Sequence, residues 1–143
     1  MRERHEIFSS LIKDLKISRP LLCIFAELYL HCELISKGVR NIAILTLPWG
    51  AKQHQKWYPL IKEITASWEV YVKPHPRAKG PFDYYVYSKG HLKEVNQILA
   101  LFGQIWSAPK TDREKNYPLH REIGRLLGYS RDKIYEQYPD KSK

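Results

Sequence analysis

No apolar run in this sequence approaches the roughly 18–20 residues needed to cross a bilayer. The longest candidate, 20–35, is interrupted by Glu27, His31 and Glu33. The opening MRERHEIFSS carries charge but no continuous apolar segment, so it does not read as a secretory signal. A cytoplasmic protein with no membrane partner is expected. Cysteine is scarce, with two in 143 residues. Cys23 and Cys32 stand nine apart in what reads as one helix, which puts them on opposite faces and about 13 Å apart along the axis. They cannot bridge each other there, and the expectation is two buried small hydrophobes. The sequence also lacks paired Cys/His at zinc spacing, a glycine-rich phosphate loop, a G-x-S-x-G elbow and an H-E-x-x-H run. Nucleoside triphosphatase, serine hydrolase and zinc protease readings therefore have no support, and neither metal nor cofactor is expected.

Acidic residues are the other shortage, 15 against 24 Lys and Arg, for a net charge of +9. Such an excess favours an acidic partner, most often nucleic acid. It is uneven along the chain. Residues 73–93 hold Lys73, Arg77, Lys79, Lys89 and Lys93 against Asp83 alone, and residues 107–143 hold nine bases against six acids. With 43% hydrophobic and 27% charged residues the composition is globular, and the length suits a single domain over 1–143.

Periodicity gives the elements. Ile7, Phe8, Leu11, Ile12 and Leu15 mark an amphipathic helix over 3–17. Pro20 opens a second helix that Gly38 ends, apolar around most of its circumference and expected at the centre of the core. VRNIAILTL is a buried strand ended by Pro48. In AKQHQKWYPLIKEITAS the latter part is helical, with Pro59 in its first turn or kinking it. WEVYVK alternates as a half-buried strand and FDYYVYSK is a second of the kind. PHPRAKGP, with three prolines and a glycine, reads as a loop outside the ladder that joins them as a hairpin. HLKEVNQILALFGQIW is a helix, followed by a polar linker over 107–116. The fold class is therefore α/β or α+β: a small three-stranded sheet with a β-hairpin, four main helices and a C-terminal helix-turn-helix-like corner.

The loop Lys73-Pro-His75-Pro-Arg77-Ala-Lys79-Gly is the best candidate for phosphate contact. Arg and Lys neutralise phosphates, and prolines stiffen the loop so that less entropy is lost on binding. Tyrosines 84, 85 and 87 on the next strand could stack on unpaired bases, or pack in the core as strand aromatics mostly do. Lys89, Arg125 and Arg131 add charge.

YPLHREIGRLLGYSRDKIYEQY, residues 117–138, reads as helix, tight turn, helix. Pro118 opens the first helix, Gly128 ends it with a positive φ, and Ser130 caps the second, which Pro139 stops early. Ile123, Gly124, Leu127 and Ile134 supply the apolar and small positions of a close helix crossing. A second helix this short argues for a tight corner over a DNA-reading one. Here HREIGRLLGYS resembles the local C-terminal signature of uncharacterised prokaryotic families, in which a His-(Arg)-Glu-Ile-Gly run leads into Leu-Gly-Tyr-Pro. The resemblance covers His120–Ser130 and implies a local fold with no activity attached. In some of those proteins the proline is followed by a pair of cysteines; here Ser130 replaces the proline and Asp132-Lys133 stand where the thiols would, so thiol or metal chemistry is missing at this position.

A nuclease reading would use His75 with Glu69 and Asp83, because Glu69 and Lys73 share one face of an expected strand and Asp83 would be the second carboxylate. The first expectation is a nucleic-acid-binding protein, for DNA or RNA, without catalysis. The alternatives are a module that docks on an acidic protein surface and, third, the small nuclease.

Overall fold

The computed structural model describes residues 6, 9–10, 18–77, 81–107 and 113–140. Of the helix expected over 3–17, only Glu6, Ser9 and Ser10 are described, all helical, and the rest lies outside the described residues. The fold is small α/β, with a three-stranded antiparallel sheet in the order β1-β3-β2. Its strands are β1 (Ile42–Leu47), β2 (Tyr71–Pro76) and β3 (Phe82–Tyr87), with helices α1 (Arg19–Ser36) and α2 (Ala51–Ser67) before and after β1. Then come α3 (Leu92–Ser107), a 3-10 turn (Arg113–Asn116), α4 (Tyr117–Leu126) and α5 (Arg131–Gln137). Among the described residues no helix is long and apolar enough to cross a membrane. The chain divides into two compact units, Met1–Lys89 and Gly90–Lys143.

In the first unit, α1 and α2 contribute Phe25, Leu28, Cys32, Ile35, Ile61 and Ile64 to a core completed by one face of the sheet, Ala43, Leu45, Leu47, Phe82, Tyr84 and Val86. The expectation of a central α1 is corrected. Its buried residues form one stripe, while Leu30 is 51% exposed and Cys23 is exposed too. Only Cys32 is buried, and loss of solvation pushes its thiol up to about 12. The two cysteines do lie on opposite faces, as nine residues of helix dictate.

Helix α2 is longer than expected and begins at Ala51, so Pro59 stands inside it. Pro59 and Gln55, whose carbonyl loses its i+4 donor, are both exposed, which lets solvent serve that carbonyl. At the start, the Gly50 N–H donates to Gln53 Oε1 at 3.1 Å, satisfying one orphan donor.

Three helices end alike. After α1, α2 and α4 the N–H groups of Val39, Val70 and Tyr129 reach back to the carbonyls of Leu34, Thr65 and Gly124 at 2.9–3.1 Å. This is the Schellman closure, which places the residue before in the left-handed region. Gly38 and Gly128 occupy it with φ of 74° and 83°; after α2 the residue is Glu69, φ 57°. The expected strand WEVYVK is corrected accordingly: Trp68 and Glu69 form the helix exit, and pairing begins only at Tyr71.

In the second unit α3 packs on α4 and α4 on α5. Ser130 Oγ accepts from Lys133 N at 3.3 Å, Pro118 lies in the first turn of α4 and Gly128 ends it, all as read from the sequence. Arg121 Nη1 donates to the Tyr138 carbonyl at 3.1 Å, tying the end of α5 back to α4.

Candidate nucleic-acid interface

The hairpin β2–β3 carries most of the expected site, and its register decides which side chains meet. Arg77 N donates to Pro81 O at 3.1 Å, and Ser88 N donates to Asn41 O at 3.0 Å. Odd-numbered residues of β3 therefore bond to β2 and even-numbered ones to β1. Tyr71, Lys73 and His75 bond inward opposite Tyr87, Tyr85 and Asp83, while Val72, Pro74 and Pro76 turn their backbone outward. This corrects the reading of Pro74 to Pro76 as a loop. Both prolines sit in the ladder because β2 is an edge strand and their missing N–H groups fall on its open side. The arrangement also protects the edge, since Val72 holds the one outward N–H within β2.

Lys73 and His75 are half-buried and share the sheet face opposite to the α1–α2 core, with Arg77 next in the same alternation. Arg77 Nε donates to Asp83 Oδ2 at 2.9 Å, and Thr46 Oγ1 donates to Asp83 Oδ1 at 2.7 Å. Lys79 lies outside the described residues. Lys89 is exposed in the turn that ends the first unit. Arg125 and Arg131 belong to the second unit. Arg125 is exposed and paired with Glu122 three residues before it, Nε to Oε2 at 3.0 Å, which holds the carboxyl of Glu122 below its ordinary value. Arg131 and Arg121 lie over the ring of Tyr135, at 5.5 and 5.4 Å.

Two of the three expected tyrosines offer no stacking face on β3, while Tyr87 is half-buried and stacks with Tyr71. Tyr84 and Tyr85 are 0% exposed, because β3 is the central strand and is covered on both faces. Tyr84 is the hub of a polar cluster inside the core. Trp49 Nε1 donates to its Oη at 3.0 Å, and Oη lies 2.7 Å from His54 Nδ1. With the Trp proton on Oη, the tyrosine proton points to Nδ1, which assigns the neutral His54 proton to Nε2. His54 is stacked between Phe82 (4.4 Å, 6°) and Tyr58 (4.7 Å, 26°). Desolvation lowers the His54 pKa and pushes Tyr84 up to about 12. Both groups are thereby held neutral at physiological pH.

The nuclease constellation is not assembled. Glu69 sits at the α2 exit, off the strand, so it shares no strand face with Lys73. Asp83 pairs with His75, four strand rises beyond Tyr71, on the order of 13 Å along the sheet. Its carboxylate is 1% exposed and occupied by Arg77 and Thr46. Among the described residues no three His, Cys, Asp or Glu side chains converge to hold a metal ion.

A feature missed in the sequence lies beside the hairpin. A groove of about 800 Å³ runs along the second half of α2 and the start of β2, lined by Tyr58, Lys62, Glu69, Tyr71, Val72 and Lys89 among others. Tyr71 is 47% exposed, and one face of its ring is backed by Tyr87 at 5.7 Å and 23°. The Lys62 ammonium lies 5.0 Å over the Tyr58 ring. The available signal was the i, i+4 pair Tyr58/Lys62 on one helix face, in a helix that ends at Ser67, four residues before a strand beginning with tyrosine. No family model, curated protein or solved structure matches the chain.

Proposed function

We propose that this protein binds nucleic acid through its basic hairpin and performs no catalysis. The observation that carries the reading is the alternation of Lys73 and His75 on one face of β2 with Arg77 just beyond its end, within a stretch of five bases to one acid, on a chain of net charge +9. Alternate residues on a strand stand about 6.7 Å apart on one side, so Lys73 and Arg77 stand in a row with the imidazole of His75 between them, an arrangement suited to a charged polymer. Strand pairing and the edge prolines hold the backbone under the row in place, so little backbone freedom is lost on binding. Lys79, Lys89, Arg125 and Arg131 add to the positive charge of the chain. With only seven residues in the second helix of the corner, affinity rests on phosphates and sequence preference is weak. A cytoplasmic location accords with such a partner.

The test is a titration of DNA and RNA binding against salt. The logarithm of the binding constant should fall linearly with log salt, by about 0.9 for each phosphate neutralised on duplex DNA, and Lys73→Ala or Lys89→Ala should reduce that slope by about one. Absence of binding at low salt, or binding indifferent to salt, rejects the reading. A stoichiometric, nuclease-resistant protein partner would instead favour docking on an acidic protein surface.

A further inference from the structure

The groove between α2 and β2 joins three properties. It has an aromatic ring with one face backed by another aromatic, Tyr71 on Tyr87 at 5.7 Å. It has ammonium groups at two places, Lys62 and Lys89. It also has an open strand edge, where Val72 turns its backbone N–H and carbonyl away from β3. A rigid, half-exposed ring offers a flat surface to any base, and stacking of this kind is tolerant of base identity. The lysines supply the positive charge that a phosphate beside the stacked base requires, while the Glu69 carboxylate repels phosphate from the rim it occupies. That rim has a second peculiarity. Glu69 holds φ 57° in a helix closure where Gly38 and Gly128 serve the other two helices. A non-glycine residue in this region costs about 1–2 kcal/mol, and strain of this sort gathers at ligand sites.

We propose that this groove seats an unpaired base of a single-stranded nucleic acid, its ring against Tyr71 and its flanking phosphate toward Lys62 and Lys89. A base in a duplex is stacked on its neighbours and cannot present a free face to Tyr71, so the groove discriminates single strands from duplexes. The proposal rests on the nucleic-acid reading above and deepens it, because the basic row on β2 binds phosphates of either form.

The experiment compares binding of a short labelled single strand with its duplex, by fluorescence anisotropy at low salt, for the wild type, Tyr71→Ala and Tyr71→Phe. Tyr71 is half-exposed, and thermal unfolding of each variant confirms that it folds. The single strand should bind more tightly than the duplex. Tyr71→Ala should lose roughly tenfold or more on the single strand and retain duplex binding, and Tyr71→Phe should restore the wild-type value. Equal affinity for both forms, or a Tyr71→Ala variant that binds single strands as the wild type does, overturns the groove assignment while salt-dependent binding keeps the broader reading. Loss of salt-dependent binding to either form in the wild type overturns both. Displacement of the strand by an equal concentration of free mononucleotide also overturns the proposal, by assigning the groove to a small ligand.

Discussion

Arg77 Nε and Asp83 Oδ2 meet at 2.9 Å across the hairpin, with the Asp83 side chain 1% and the Arg77 side chain 37% exposed. The most conspicuous arginine of the basic loop is therefore also the counter-ion of a buried acid. Removing it leaves a buried carboxylate that keeps the Thr46 hydroxyl and loses its arginine counter-ion. Breaking a fully buried pair costs about 3–5 kcal/mol; water at the exposed end of Arg77 screens this pair, so Arg77→Ala should cost about 1–3 kcal/mol. Adding Asp83→Asn to that variant should recover much of the loss, since the amide oxygen still accepts from Thr46. Asp83→Asn alone should weaken the fold yet tighten nucleic-acid binding, because it removes the only acid in the stretch 73–93. Urea unfolding and binding isotherms on the three variants check this. A stability loss without the double-variant recovery would show that the pair is not the cause.

Glu69 supplies a prediction of opposite sign. Its φ of 57° suits glycine, and the closing bonds Glu69 N to Ala66 O and Val70 N to Thr65 O are backbone only. Glu69→Gly relieves the left-handed strain but adds freedom to the unfolded chain, and these oppose each other at about 1–2 and 0.5–1 kcal/mol. The net expectation is a gain of up to about 1 kcal/mol, read as a higher thermal midpoint. Glu69→Ala, with its Cβ retained, should gain nothing, and an equal rise for both variants would contradict the backbone explanation.

The C-terminal corner was legible in the sequence because every signal there is local: Pro118, Gly128 and Ser130 act within one turn of the backbone, and each takes its expected place. The hairpin was only half legible. Prolines 74 and 76 argue against a ladder unless the strand is known to be an edge, and strand order depends on long-range pairing that local pattern does not carry. Glu69 was misplaced for a related reason, since WEVYVK alternates well enough to hide a helix exit that uses no glycine. The tyrosines of β3 follow the same logic: FDYYVY gives no hint that it is central and buried on both faces. Lys62 and Tyr58 escaped notice because their groove exists only once α2 lies beside β2.

The Trp49–Tyr84–His54 cluster predicts a response to acid. His54 is lowered by desolvation, as are His31, where burial outweighs the Glu27 carboxylate beside it, and His120. A histidine whose folded pKa lies below its unfolded value near 6.5 binds protons first in the unfolded chain. Stability is then complete above about pH 6.5 and declines as the pH falls from there through the lowered folded values. Urea midpoints measured between about pH 7 and pH 5 should drop, and His54→Phe, which keeps the stack with Phe82 and Tyr58, should flatten part of that drop. Tyr84→Phe should cost about 1–3 kcal/mol at neutral pH, because the buried Trp49 N–H loses its acceptor. A flat midpoint over this range would remove the role given to these histidines.

Gly124 tests the corner between α4 and α5. A Cβ placed there would stand 3.0 Å from Ile134 Cγ1 and 3.3 Å from its Cδ1. Two effects compete in Gly124→Ala. Helix propensity favours alanine by about 1 kcal/mol, and overpacking a close contact costs about 1–3 kcal/mol. Cδ1 can swing away about χ2 at little cost, but moving Cγ1 requires a change of χ1, which is stiff for a β-branched residue in a helix, or a shift of α5 itself. That helix is held at one end by the Tyr129 N to Gly124 O closure and at the other by Arg121. Strain therefore outweighs propensity, and Gly124→Ala should lose about 1 kcal/mol. Gly124→Leu, which no local adjustment accommodates, should displace Ile134 and expose α5. Hydrogen exchange at the amides of 134–138 reads this directly, with slow exchange in the wild type, faster exchange in Gly124→Ala and no protection in Gly124→Leu. A leucine variant with protected amides would mean that Ile134 does not depend on the glycine for its seat.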